Sequence, residues 1–143
     1  MRVVDLLNVK GRDVASISRG RSIADALVVL RDRGIGALVV TGLEGPLAGI
    51  LSERDVVRAL AVKGASALAL HVEDLMSASV TTCTEQTSLE ELMGTMTERR
   101  IRHVPVLEAG QLVGLISIGD VVKARLDELE TQRRELLDYV NAR

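Results

Sequence analysis

The nine residues Gly114–Val122 read GLISIGDVV, and the nine residues Gly49–Val57 read GILSERDVV. Both are the same phrase: glycine, two apolar residues, serine, two variable residues, aspartate and a Val-Val pair. The duplication extends outward in both directions. SIADALVVLRDRGIGALVV (residues 22–40) lies over SLEELMGTMTERRIRHVPV (residues 88–106), with Ser22 on Ser88 and Ile35 on Ile101, all 66 positions apart. After the next turn the offset is 65, because TGLEGP (41–46) is longer than its counterpart EAGQ (108–111). Glycine and proline at these points are what a chain reversal asks for. Upstream, Val14-Ala15-Ser16-Ile17 matches Val80-Thr81-Thr82-Cys83, and Val4-Asp5-Leu6-Leu7 echoes Glu73-Asp74-Leu75-Met76. The copies cover residues 3–62 and 72–127, and residues 128–143 extend the last helix.

Each copy has the same local grammar. A short β-prone stretch (15–17; 80–83) precedes a serine, Ser22 or Ser88, that caps an amphipathic helix. Glu91, three residues after Ser88, completes a capping box, and Leu89, Leu92, Met93 and Met96 recur at helical spacing. Two strands joined by the turn follow (37–40 and 47–51; 104–107 and 112–117), and a second helix starts at Ser-x-x-Asp. The order β-α-β-β-α occurs twice. A unit of about 60 residues is marginal alone, so the two are expected to pack sheet against sheet about a pseudo-twofold axis, as an α/β fold.

Composition narrows the function. Hydrophobic residues make up 47% and charged residues 27%, which is globular rather than disordered. There is no Phe or Trp, and Tyr139 is the one aromatic side chain, so base stacking is nearly unavailable. A net charge of −2 offers no general attraction to nucleic acid or to an acidic membrane. Cys83 is alone, which fits a reducing compartment and a cytoplasmic expectation. Asp5 and Asn8 interrupt the N-terminal apolar run, and Asp25, Arg31, Asp32 and Arg33 interrupt residues 23–50, so neither a signal peptide nor a bilayer span is expected. His71, His103 and Cys83 lack metal-ligand spacing, no glycine-rich phosphate loop is present, and no catalytic constellation is visible.

The Ser-x-x-Asp has two compatible readings. Ser52 with Asp55, and Ser117 with Asp120, are spaced as N-cap and third helical residue, which is a purely structural way to start a helix. The same corner points backbone N–H groups at a phosphate and sets a carboxylate beside it that can accept from ribose hydroxyls.

The segment RIRHVPVLEAGQLVGLISIGDVV (100–122) closely resembles the cystathionine-β-synthase (CBS) domain, and GIGALVVTGLEGPLAGILSERDVV (34–57) resembles it with Val39 where the second copy has Pro105. Two copies resemble a CBS pair, or Bateman module, of the kind found in bacterial stand-alone CBS proteins. The resemblance implies homodimerisation and an adenosine nucleotide (AMP, ATP or an NAD(H)-type ligand) in the cleft between repeats. Asp55 and Asp120 match the ribose-binding acid, and Ser52 and Ser117 the hydroxyl before the helix. The walls of the adenine pocket fall on residues 14–17 and 80–83, and on 35–38 and 101–104. These assignments include Val80, Ile35, Ile101, Val104 and the neighbouring Pro105, with Ser16 and Thr82 touching the base. Phosphate charge is expected to meet Arg54 at the first site, and Arg102 with His103 at the second.

The function expected is a regulatory nucleotide-binding module, not an enzyme, that signals to a protein partner. The alternative is a structural dimerisation module with weak or empty clefts. Helix faces carrying Val56, Val57 and Leu60, and Val121, Val122 and Leu126, are expected to form the homodimer. The tail, with Leu126, Leu129, Leu136 and Val140 in a 3.5-residue rhythm interrupted by Arg133, would extend that interface.

Overall fold

In the computed structural model, which describes residues 1–142, the chain forms two small sheets and, among those residues, six helices. The elements are α1 (Val3–Lys10), β1 (Ser16–Ser18), α2 (Ile23–Arg33), β2 (Ala37–Gly42), β3 (Gly45–Ser52) and α3 (Glu53–Lys63). A 3₁₀ segment (Gly64–Ala69) leads to α4 (Val72–Leu75), α5 (Leu89–Arg99), β4 (His103–Glu108), β5 (Gln111–Ser117) and α6 (Ile118–Asn141). No described helix is long and apolar enough to cross a membrane.

The predicted serine caps are present, but the capping box expected at Ser88 is corrected: Ser88 accepts from the Glu91 N–H, and Glu91 does not complete the box. The hydroxyls of Ser22, Ser52, Ser88 and Ser117 accept from the N–H groups of Asp25, Asp55, Glu91 and Asp120. At Ser52 and Ser117 the aspartate returns the bond by accepting from the serine N–H at 2.9 Å. In the first repeat β2 pairs antiparallel with β3, and β1 lies parallel to β2. In the second, β4 pairs antiparallel with β5. The expected strand over 80–83 is corrected here: it shrinks to a single parallel bridge, Cys83 to Val106, so the second sheet has two strands rather than three.

The two cores do not follow chain order. The first contains Ile17, Ile23, Leu30, Leu38, Val40, Leu51 and Val56, and it takes in Val72 from α4. The second contains Leu89, Leu92, Met96, Val104, Val106, Ile116 and Val121, and it takes in Val3, Leu6 and Leu7 from α1. Each repeat therefore closes the other. Backbone bonds secure the exchange: Val3 N–H donates to Thr87 O at 2.9 Å, and Val72 N–H donates to Arg21 O at 2.8 Å.

This exchange explains the repeated glycine. A Cβ on Gly114 would stand 2.5 Å from a methyl carbon of Leu7, and one on Gly49 would stand 2.7 Å from the Ser77 carbonyl oxygen. Both sheets thus need a bare backbone where the other repeat's leading segment crosses them.

Val56 and Val121, expected on a dimer face, are 1% and 0% exposed and belong to the chain's own cores. That expectation is corrected. Val57, Val122 and Leu126 remain exposed on the helix surfaces.

Candidate functional site

Ser117 ends β5 and caps α6, which holds Asp120 one turn inside the helix. His103 is the register partner of Ser117 on β4. This corner of the second repeat opens onto a cavity of about 850 Å³. Its facing wall comes from the first repeat: Val14 and Ala15 before and beside β1, and Arg33 to Ala37 where α2 passes into β2. Lys10, at the last residue of α1, and Asp13 complete it. The cavity exists because α1 crosses to the second repeat and carries Lys10 to the Asp120 corner.

The Asp120 carboxylate accepts through Oδ2 from the Ser117 N–H and from the Lys10 ammonium. Lys10 also donates to the Leu115 carbonyl oxygen. Burial alone would raise the Asp120 pKa, but the Lys10 bond and the Ser117 backbone and hydroxyl outweigh it and hold the carboxyl below its ordinary value. Asp120 is therefore an anion at neutral pH. Burial lowers the His103 pKa, and the Lys10 and Arg102 cations lower it further against Asp120 and Glu53. His103 is consequently a neutral imidazole at pH 7. Arg33 pairs with Asp13 at 3.5 Å. The cavity thus combines two carboxylates (Asp13 and Asp120), two cations (Lys10 and Arg33), a neutral histidine and apolar walls from Val14, Ile35 and Leu115.

Of the residues singled out from the sequence, Ile35, His103, Ser117 and Asp120 meet at this cavity, together with Val14 and Ala15 of the expected wall. Others do not line it. Arg102 is exposed, and its carbonyl accepts from the Ile118 N–H at 2.8 Å. Its counterpart by repeat alignment, Gly36, does line the cavity. Arg54 is exposed on the first turn of α3. Ser16 and Thr82 are exposed, and Val80 is half-buried. Ile101 packs against the second core, where Val104 and Pro105 are buried. Ser52 and Asp55 make the same corner at α3, with Asp55 accepting from the Ser52 N–H and hydroxyl. No lysine pairs with Asp55 among the described residues. A smaller cavity of about 480 Å³, between α2 and Glu53, shares Gly34, Ile35 and Gly36 with the first and is not lined by Asp55.

Lys10, Asp13 and Arg33 escaped the sequence reading. Lys10 is 110 positions from Asp120, and no local pattern announces that pairing. No group of three or more metal-ligating side chains is present among the described residues.

The sequence profile of the CBS domain matches residues 7–62 and 72–127. The chain belongs to the CBS-domain family. This CBS pair is 37% identical over 123 residues to the Arabidopsis thaliana protein named CBS domain-containing protein CBSX3, mitochondrial, covering 83% of the present chain and 60% of that relative's length. A crystal structure of a CBS-domain containing protein from Agrobacterium tumefaciens is 47% identical, superposes with a TM-score of 0.85, and is matched over 87% of this CBS chain and 99% of its own. A more distant CBS domain pair, 23% identical with a TM-score of 0.79 over 90% of this chain and 98% of that one, was crystallised in complex with methylthioadenosine and S-adenosylmethionine.

Proposed function

We propose that this CBS pair is a regulatory module that binds an adenosine nucleotide at the Asp120 cavity and passes its occupancy to a protein partner. One observation carries the reading: the Ser117–Asp120 corner of one repeat opens into an 850 Å³ space whose opposite wall belongs to the other repeat. That volume suits a small-molecule ligand. Asp120 accepts from the ribose hydroxyls, the apolar walls hold the base, and Lys10 and Arg33 meet phosphate as charge-assisted donors. AMP, ATP and NAD(H) share these features. The adenosine-type ligands of the distant neighbour support the class. The protein acts as a homodimer in a reducing compartment such as the cytoplasm, and it is not an enzyme. Asp55 and Ser52 form a second, less charged ribose corner.

The alternative, a dimerisation module with weak clefts, draws on the Lys10–Asp120 pair, which already satisfies the carboxylate without ligand. Calorimetry with adenosine, AMP, ATP and NADH separates the two. Asp120→Ala is expected to weaken the best ligand by about 1.5–3 kcal/mol, roughly ten- to a hundredfold. Equal affinity in wild type, Asp120→Ala and the Asp55→Ala/Asp120→Ala double variant would refute the site, and no heat with any ligand would favour the alternative.

A further inference from the structure

Helix α6 touches the rest of the chain along one side only. Val121 is fully buried, and Ala124 packs against the second core. Arg125 and Glu128, bonded to each other at 3.0 Å, are partly shielded on the same side. At about 100° per residue, a different flank carries Val122, Leu126, Leu129, Leu136 and Val140. These are 47%, 61%, 46%, 64% and 55% exposed. With Arg133 they step alternately by four and three residues, which is the seam of a two-stranded coiled coil. The described chain leaves the seam uncovered over about 27 Å of helix.

Charge selects the occupant. Arg133 is the one ion in the seam, and its Nη1 lies 3.5 Å from Oε1 of Glu130 on the seam's border. In a parallel pair the two Arg133 side chains would meet in the same core layer, two like charges losing water together. In an antiparallel pair crossing near Thr131, Arg133 lies against Leu129 of the second copy and beside that copy's Glu130. Leu126 then meets Leu136, and Val122 meets Val140. The two glutamates and two arginines form a neutral cluster at the twofold axis.

We propose that this seam pairs with the same seam of a second copy of the chain, antiparallel, with the two Glu130–Arg133 pairs interlocked at the axis. The inference rests on the homodimer reading above and specifies its surface and direction. It places each repeat pair at an opposite end of the paired helices, so the tail of one copy covers Val122 and Leu126 at the body of the other.

The test uses full-length chains with Cys83→Ala as background. Leu126→Cys and Leu136→Cys chains carrying different tags are mixed and oxidised. Only the mixed product is expected, because positions 126 and 136 oppose each other across the axis. Self-linked Leu136→Cys chains would overturn the antiparallel register. A persistent dimer by sedimentation without any cross-link would overturn the seam while leaving the homodimer reading intact, whereas a monomer at micromolar concentration would remove both. Independently, Arg133→Glu puts four carboxylates at the axis. It is expected to raise the dimer dissociation constant at least tenfold at low salt and less at high salt, with an unchanged circular-dichroism spectrum confirming folding. A dissociation constant unaffected by this charge reversal would also overturn the proposal.

Discussion

Replacing Lys10 with methionine separates the two tasks that the Asp120 cavity sets its ligand. Lys10 and Asp120 are 30% and 26% exposed, and Lys10 also holds the Leu115 carbonyl. A fully exposed ion pair contributes about 0.2–1 kcal/mol and a charged hydrogen bond about 1.5–3 kcal/mol. Partial burial puts this pair near 1 kcal/mol, which is about fivefold in an equilibrium. A ribose must compete with Lys10 for the carboxylate, so Lys10→Met is expected to tighten adenosine binding by about fivefold. AMP gains the same relief but loses a charged partner for its phosphate. The preference for AMP over adenosine is therefore expected to fall by about 1.5–3 kcal/mol, at least about tenfold. Titration calorimetry of both ligands on both proteins reads this ratio directly. The acid limb of stability gives a second readout. Because the Asp120 carboxyl is held below its ordinary value of 3.8, its stabilisation is present above the unfolded-state pKa and is lost as pH falls through the depressed folded value. Lys10→Met should shrink that loss in acid denaturation. If the variant changes adenosine and AMP affinity equally, Lys10 does not stand between ribose and phosphate, and the site reasoning fails.

The crossing of leading segments predicts that Gly49→Ala and Gly114→Ala both destabilise, by about 1–3 kcal/mol in urea melts. Gly49→Ala should cost more, because its obstacle is the Ser77 carbonyl rather than a Leu7 methyl, and Leu7→Ala should partly rescue only Gly114→Ala. Cys83, pushed up to about 11 by burial and then by Glu91, should react with a thiol reagent at neutral pH only in denaturant; rapid native labelling would contradict its placement. His103, with its pKa lowered by burial and then Lys10, should charge only as pH falls below its ordinary 6.5. A charged His103 should favour AMP over adenosine, so on acidification the preference for AMP should rise in the wild type relative to His103→Gln, whose profile carries only the phosphate's own protonation at about pH 6. Identical pH profiles in the two proteins would take His103 out of the phosphate contacts.

What could be read along the chain was whatever is local or repeated. A serine three residues before an acid is a cap wherever it occurs, because the bond it makes lies within one helical turn; hence the starts of α2, α3, α5 and α6 and the Ser117–Asp120 corner were legible. The doubled phrase gave the architecture, since two equal units can satisfy their sheets only against each other. Tertiary structure decided which residues share a cavity. The sequence set Arg102 with His103 at the phosphate, yet Arg33, Gly36 and Lys10 line the cavity with His103 and Asp120, and Lys10 is the one that bonds the carboxylate. The cause is long-range packing: Leu7 seats on the bare Gly114 backbone and Val72 enters the first core, so each repeat is completed by the other's leading segment. Apolar contact is not directional, so a periodic stripe shows that a face is buried but not which distant segment covers it. The same distinction holds for Val56 and Val57, neighbours in a repeated pair: the pattern shows both as apolar, and only packing sends one to the core and leaves the other in solvent.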